Sequence, residues 1–304
     1  MLSERIIQTL TFFDAQDLPL TAMEIERYLI AEKTQLKNRL DEQYELKEVD
    51  TAPSPVHLDT IMVQLEALLQ DQKISEDKGF YCKWGRESII SQRQNNYLNG
   101  LRREKLIRRY IWFTKYLPFV RGIGLGGSQP LGQQKPTSDI DLLIITDQKF
   151  MWLARTFLMI YFQAFGVRRY GTKIANRFCL NHYLATPREV DAERNLYKAM
   201  EYGRLRPLIN PEVIAQFQTA NAKWMKTFFP NITFSEPQEL IQSGLQKALE
   251  ALFKNRLGFW LEQKLGQWQS GRIRQDQFVF VRKDELSFHP ESKHEKLLHG
   301  FFGK

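Results

Sequence analysis

The sequence is poor in cysteine and lacks both a long apolar run and the common glycine-rich phosphate-binding motifs. Cys82 and Cys179 lie far apart and form no CxxC pair, which excludes a disulfide scaffold and a zinc ribbon and suits a reducing cytosol. The most apolar run, 157–166, is far shorter than the roughly 20 residues that a membrane span needs. The early charges of 1–10 exclude a secretory signal, and neither a P-loop nor a GxGxxG motif occurs. We therefore expect a cytoplasmic protein without membrane contact.

Composition and charge describe a globular chain with an uneven electrostatic surface. The 304 residues are 43% hydrophobic and 26% charged, which predicts two or three folded domains. The net charge is +8, but residues 1–70 hold 6 Lys/Arg against 13 Asp/Glu and carry −7, so the rest carries +15. A basic body of this kind attracts phosphates, whether on nucleotides or on nucleic acid.

Residues 1–85 predict a winged-helix-like domain. Helical patterns cover 3–13 and 54–70, and a further helix begins after Thr21, whose hydroxyl forms a capping box with Glu24. Residues 73–85 read as a hairpin around an Asp-Lys-Gly turn.

The charge of the helix over 54–70 indicates which kind of molecule this helix contacts. Asp59 and Glu66 would be repelled by phosphates, so we favour a protein contact over duplex DNA for this helix. The hairpin lysines keep the DNA alternative open; they are Lys73, Lys78 and Lys83.

Residues 86–117 predict a strongly basic connecting helix, either continuous or broken at Gly100. Its basic residues form either a solvated face between two domains or a wall beside a phosphate site. They are Arg102, Arg103, Lys105, Arg108, Arg109 and Lys115.

The pattern changes at Pro118 to strand, loop and strand. A helix over 151–166 and a further strand over 176–186 complete an α/β unit, which we delimit as a core domain at 118–190. Residues 191–304 read as a helical C-terminal domain, with a long amphipathic stretch at 238–268.

Two short motifs in this core carry the chemistry. Asp139 and Asp141 lie two apart on a predicted strand and therefore face the same side, where they repel unless a proton or a divalent cation lies between them. Mg²⁺ is usually held by one or two carboxylates together with substrate phosphates. The Gly126-Gly127-Ser128 turn offers close backbone approach, N–H groups and a hydroxyl to a phosphate. A metal-bound triphosphate between the two motifs satisfies all of these groups.

The combination GGS, a ten-residue spacer and DID within an apolar strand resembles the signature of the DNA polymerase beta-type nucleotidyltransferase superfamily. The resemblance covers 118–186 and implies an α+β fold, with a small mixed sheet and flanking helices. It implies nucleotidyl transfer with two Mg²⁺ ions held by Asp139 and Asp141. It also implies that Gly127 and Ser128 hold the triphosphate, with Gly126 beside them and Arg155 adding positive charge.

The sequence departs from that signature at the third carboxylate, which the family carries on a neighbouring strand. If Phe178, Leu180 and Leu184 face the core, the other face of that strand presents Cys179, Asn181 and Tyr183 to the carboxylates. Asn181 then takes the third position as a neutral metal ligand. Three readings stay open: two carboxylates suffice, Glu189 or Asp191 supplies the third, or the protein binds nucleotide without efficient catalysis.

Two functions from different classes follow. The first is an Mg²⁺-dependent nucleotidyltransferase that moves a nucleoside monophosphate from NTP to a hydroxyl of a small molecule, a protein or an RNA. The second is a non-catalytic nucleotide-binding regulator whose winged helix contacts protein or DNA.

Overall fold

We describe the protein from a computed structural model. It covers residues 1–47, 53–190, 193–273, 280–282, 284–288 and 292–303, with the backbone alone at Asn181, Phe280 and 292–294. The chain folds as a mixed α+β structure with two sheets, as the sequence predicts. Within these ranges no helix is both long and apolar enough to cross a membrane.

The N-terminal part combines four helices with a three-stranded antiparallel sheet in the order β1-β3-β2. The capping box predicted at Thr21 is present, because its hydroxyl accepts from Glu24 N while the Glu24 carboxylate accepts from Thr21 N. The hairpin turns at Lys78 and Gly79, both with positive φ. These elements are α1 (Leu2–Asp14), β1 (Leu20–Thr21), α2 (Ala22–Arg27), α3 (Lys33–Arg39), α4 (Leu58–Gln70), β2 (Ile74–Asp77) and β3 (Phe80–Lys83).

Helix α5 (Ser88–Ile111) is continuous and runs on into a 3₁₀ turn at Trp112–Tyr116. Gly100 does not break it. A Cβ at residue 100 would lie 2.4 Å from Gln134 Oε1. The absence of a side chain at Gly100 therefore lets the loop that contains Gln134 pack closely against α5. Arg103 braces the same loop: it is buried, and its guanidinium donates to Lys135 O at 2.6 Å and to Asn176 Oδ1 at 2.5 Å.

The larger sheet has six strands in the order β7-β4-β5-β6-β9-β8. Strands β5 and β6 are parallel, and every other neighbouring pair is antiparallel. The remaining elements are β4 (Val120–Leu125), β5 (Ile140–Thr146), α6 (Met151–Ala164), β6 (Phe178–Ala185), α7 (Leu196–Gly203), β7 (Arg206–Ile209), α8 (Pro211–Phe228), α9 (Gly244–Ala251), α10 (Arg256–Ile273), β8 (Phe280–Val281), β9 (Glu285–Ser287) and α11 (Ser292–Phe302).

Three strands after residue 190 were not expected from the sequence. Strands β7, β8 and β9 are two to four residues long and show no alternating pattern, so periodicity gives them no signal. The stretch 238–268, expected as one long amphipathic segment, contains α9 and most of α10 with a break between them.

Two hydrophobic clusters cover the two faces of the large sheet. One face packs against α6 and the end of α5, through Ile140, Leu142 and Ile144 of β5. The other face presents Leu143 and Ile145 to a cluster that joins α7, α8 and α11 to the N-terminal helices. The members of this second cluster range from Ile6 near the start of the chain to Phe302 near its end. Residues 1–85 and the C-terminal segments therefore share one core. The predicted boundaries at 85, 117 and 190 stay predictions.

Candidate functional site

The two aspartates lie where β5 begins, on the face of the sheet that carries the shared core. Asp139 directly precedes the strand and Asp141 is its second residue. Ile140 and Leu142 are buried in the opposite cluster, so the alternation of the strand directs both carboxylates to one side. Both are partly exposed, whereas Leu143 and Ile145, further along the same face, are buried. The carboxylates therefore lie at the open edge of a buried surface.

The glycine-containing turn follows β4 and touches the same carboxylate. β4 and β5 pair antiparallel, and Gly126 N donates to Asp141 O at 3.0 Å. Gly127 has a φ of +66°, and a Cβ there would fall 2.2 Å from Asp141 Oδ2. Position 127 thus requires glycine both for its backbone conformation and for the room it leaves. A Cβ at Gly126 would meet only Leu205 Cδ2, at 3.6 Å.

Cys179 completes a three-residue cluster with the aspartates. It lies opposite Asp141 in the parallel pairing of β5 with β6. Asp139, Asp141 and Cys179 each offer one ligand atom, and these atoms all lie within 4.8 Å of one another. Burial, followed by the charges of Asp141 and Asp139, raises the pKa of the Cys179 thiol to about 12. Without a bound cation the thiol is therefore protonated at neutral pH.

A register shift in β6 reverses the predicted facing of the residues that follow it. Asp141 pairs with Cys179 and Leu143 pairs with His182, so two residues of β5 oppose three of β6. The extra residue reverses the alternation. Tyr183, expected to face the carboxylates, is instead fully buried in the opposite cluster. The register shift falls at Leu180 and Asn181, and the Asn181 side chain lies outside the described residues, so its role as a metal ligand stays a prediction.

Arg169, in the segment between α6 and β6, contacts the cluster. Its Nη1 donates to Asp139 Oδ2 in a short ion pair and to Cys179 Sγ at 3.3 Å. Burial alone lowers the pKa of Arg169, but Cys179 and Asp139 outweigh it and raise the pKa. The Arg169 side chain is 41% exposed and the Asp139 side chain 15%. The guanidinium thus approaches the cluster from the solvent side.

The cluster opens into a cavity of about 690 Å³. Gly127, Ser128 and the two aspartates line one part of it, and Gly126 lies just behind the lining, against Asp141. Its cationic wall consists of Arg155, Arg168, Arg169 and Arg204. The cavity therefore brings together all the predicted site residues whose side chains are described, except Gly126.

Two arginines of the wall are buried and have donor capacity to spare. Arg155 and Arg204 are each 9% exposed, and the Nε of each has no hydrogen-bond partner among the described residues. Arg155 Nη1 donates to Gln269, and burial lowers the pKa of Arg155. A buried guanidinium with an unmatched N–H is costly unless an acceptor binds to it. The wall thus suits an anionic ligand.

The N-terminal part closes one side of the cavity. Gln16 and Leu18 belong to the lining. Gln133, in the loop before β5, is also in the lining, and its Nε2 donates to Asp17 O at 2.7 Å. A ligand in the cavity therefore lies against residues outside the α/β core.

The donor set suits a divalent cation. Two carboxylates and a thiol converge, and Gly127 has no Cβ to fill the space beside Asp141 Oδ2. Of the acids proposed as a third carboxylate, Glu189 is exposed and pairs with Arg194 at 3.2 Å. Asp191 lies outside the described residues. The third ligand-forming group among the described residues is Cys179, whose facing toward the carboxylates is as predicted from the sequence.

Comparison with known families assigns the central third of the chain. Residues 107–205 match the family described as "Nucleotidyltransferase domain". The chain contains a nucleotidyltransferase domain. Comparisons with curated proteins and with solved structures gave no match.

The nucleotidyltransferase domain runs from the end of α5 through α7 and contains the complete acidic cluster. This agrees with the superfamily indicated by the GGS and DID motifs. Parts of the cavity wall come from outside the domain, from Gln16 and Leu18 before it and from Phe288 after it. The flanking segments therefore contribute directly to the site.

Proposed function

We propose that the protein is a divalent-metal-dependent nucleotidyltransferase that moves a nucleoside monophosphate from NTP to a hydroxyl of an acceptor. The observation that carries the proposal is the close approach of Gly127 to Asp141. Both residues line a cavity that also contains Asp139 and four arginines, and they belong to the matched domain. The family supports nucleotidyl transfer in general. The acceptor and Mg²⁺ as the metal belong to the proposal.

Each part of the cavity has a role in this reaction. Asp139 and Asp141 hold the metal that carries the triphosphate. The backbone at Gly127 and the Ser128 hydroxyl donate to phosphate oxygens, and Gly126 keeps the turn hydrogen-bonded to β5. Arg155 and Arg204, in the cavity wall, add positive charge that attracts the same anion.

The reaction replaces a phosphoanhydride bond of the NTP with a phosphoester bond to the acceptor. The acceptor oxygen bonds to the α-phosphorus, the bond to the bridging oxygen breaks, pyrophosphate leaves, and the hydroxyl proton passes to solvent. Bound divalent ions, two in the family pattern, supply activation of the hydroxyl and stabilisation of the leaving pyrophosphate. The protein contributes orientation: the strand fixes both carboxylates, and the short turn sets their distance from the phosphates.

The residues that line the cavity support a proposal for the acceptor class. The entrance combines the cationic wall with the N-terminal residues Gln16 and Leu18. We propose a protein or RNA acceptor in the reducing cytosol, docked across 1–85 and the basic α5. The winged-helix arrangement of 1–85 is part of this proposal.

A transfer assay tests the function. The purified protein is incubated with each of the four α-labelled NTPs and Mg²⁺, with cell lysate as the source of acceptors. We expect metal-dependent transfer of label, accompanied by release of pyrophosphate. Asp139→Asn and Asp141→Asn should abolish it, whereas Glu239→Gln, at an exposed residue far along the chain, serves as the matched control.

A nucleotide-binding regulator is the second candidate, because the third ligand-forming group of the cluster is the Cys179 thiol rather than a carboxylate. It predicts tight, metal-dependent NTP binding without transfer to any lysate fraction and without release of pyrophosphate. The same assay therefore separates the two functions.

A further inference from the structure

The cluster formed by Asp139, Asp141 and Cys179 has a mixed donor set, with two oxygens and one sulfur. Carboxylate oxygens are hard ligands that suit Mg²⁺ and Mn²⁺, whereas a thiolate selects zinc-like ions. The three ligand atoms lie within 4.8 Å of one another, so small rotations of the side chains would bring all three to a single ion at bond lengths of roughly 2.0–2.3 Å. The sulfur is therefore placed to act as a ligand.

Two further observations point to a ligand here. The Arg169 guanidinium touches both Asp139 Oδ2 and Cys179 Sγ, so a cationic group already lies against two of the three ligand atoms. Because its side chain is 41% exposed, it can swing into solvent when a metal arrives. Separately, Arg155 is nine-tenths buried and lies in the same cavity wall, and the charge of its guanidinium favours an anion that accompanies the metal.

We propose that Cys179 is the third protein ligand of this site and that the site therefore binds Zn²⁺-class ions as a thiolate complex, more tightly than Mg²⁺. On binding, the Cys179 S–H bond breaks, its proton passes to the buffer, and a sulfur–metal bond forms; no oxidant or reductant takes part. The inference rests on the proposed function for the presence of a metal site. It adds that a tightly held thiophilic ion competes with Mg²⁺ there.

Backbone geometry supports the assignment to sulfur. The Asp141–Cys179 pairing precedes the register shift of β6, so the regular part of the parallel ladder fixes both residues on one face. The thiol is 8% exposed, which protects it from bulk solvent but leaves it in the cavity lining. The other cysteine, Cys82, is buried in a separate small cluster with Ile89 and Ile90 and provides an internal control.

The experiment uses Cd²⁺ as the spectroscopic probe and the full-length, reduced, metal-free protein without nucleotide. We expect stoichiometric Cd²⁺ to produce the ultraviolet sulfur-to-metal charge-transfer band in the wild type and in Cys82→Ser. Cys179→Ser should lose the band while keeping its far-ultraviolet circular dichroism. Absence of the band in the folded wild-type protein, or its persistence in Cys179→Ser, would overturn the proposal.

Calorimetric titrations with Zn²⁺ and Mg²⁺ measure the selectivity. Cys179→Ser should weaken Zn²⁺ binding by about 10- to 100-fold or more and leave Mg²⁺ binding nearly unchanged. Cys179→Asp should shift the preference toward Mg²⁺. Equal losses for both ions would overturn the assignment. A Cd²⁺ band without nucleotidyl transfer would contradict only the proposed function, and transfer without a band would contradict only the thiolate ligand.

Discussion

Gly127 leaves room for the carboxylate of Asp141: a Cβ at residue 127 would lie 2.2 Å from Oδ2, closer than any non-bonded contact permits. The turn can therefore pack against the strand that carries Asp141 because residue 127 has no side chain. The relationship links a motif of the loop to a motif of the sheet through a single contact.

Gly127→Ala should move the Asp141 carboxylate away from Asp139 and Cys179. The positive φ of residue 127 adds a cost of about 1–2 kcal/mol for any L-residue with a Cβ. We expect the free energy of unfolding to fall by about that amount and the metal affinity, measured by calorimetry, to fall because the carboxylate is displaced. Gly126→Ala is the matched neighbour, with an ordinary contact distance of 3.6 Å to Leu205. An equal loss in both variants would show that the contact with Asp141 is not the reason.

Arg169→Gln should strengthen metal binding. The guanidinium competes with a metal for Asp139 and Cys179, and removing a partly exposed ion pair of this kind is worth about 1 kcal/mol, or about fivefold in affinity. Arg168→Gln removes the same charge from the same cavity wall and is the control. Weaker binding of metal by Arg169→Gln in a nucleotide-free titration would mean that Arg169 orients the carboxylate rather than competing for it.

Glu250 should make a pH-dependent contribution to stability. Burial by itself raises its pKa, but hydrogen bonds from Arg121, Lys254 and the Phe119 N–H lower the pKa from 4.5 to about 2. Because the folded-state pKa is depressed, the stabilisation is complete above pH 4.5 and is lost as the pH falls toward 2. Glu250→Gln should therefore cost most near neutral pH and progressively less in acid.

Chemical unfolding of Glu250→Gln at a series of pH values measures this effect. The control is Glu239→Gln, at an exposed glutamate. A difference in unfolding free energy between wild type and Glu250→Gln that stays constant from pH 7 to pH 3 would contradict the assignment.

Phe12→Ala should destabilise the whole molecule rather than the N-terminal part alone. Phe12 is fully buried, and its ring packs edge-on against Phe301, 5.3 Å away, in the core that joins both ends of the chain. We expect a loss of about 3–5 kcal/mol in a single cooperative transition. Met23→Ala, at a residue 71% exposed, is the control. An early transition limited to the N-terminal part would instead support 1–85 as an independent domain.

Much of the site could be predicted from the sequence because its signals are local. The alternation around Asp139 and Asp141 and the turn at Gly127 depend on neighbours a few residues away, and the structure places all three at one cavity. The capping box at Thr21 is equally local. In each case the deciding interaction spans a short segment that a pattern can describe.

The parts that could not be predicted depend on pairing between distant segments. The register shift in β6 moves Tyr183 to the opposite face. The sequence of β6 alone does not reveal this shift, because it arises in the pairing with β5. The approach of Arg169 to Asp139 depends on the path of the segment between α6 and β6. Cys179 had a visible signal, since the alternation of its strand predicts that it faces the carboxylates, but the family pattern pointed to Asn181 instead.

The most direct test of the central claim is nucleotide affinity with and without Mg²⁺ in wild type, Asp139→Asn and Asp141→Asn. The claim that the two carboxylates hold a metal–nucleotide complex predicts that Mg²⁺ strengthens NTP binding to the wild type by tenfold or more, about 1.4 kcal/mol. It also predicts that either substitution removes this strengthening while the fold is kept. Equal Mg²⁺ dependence in all three proteins would contradict the claim.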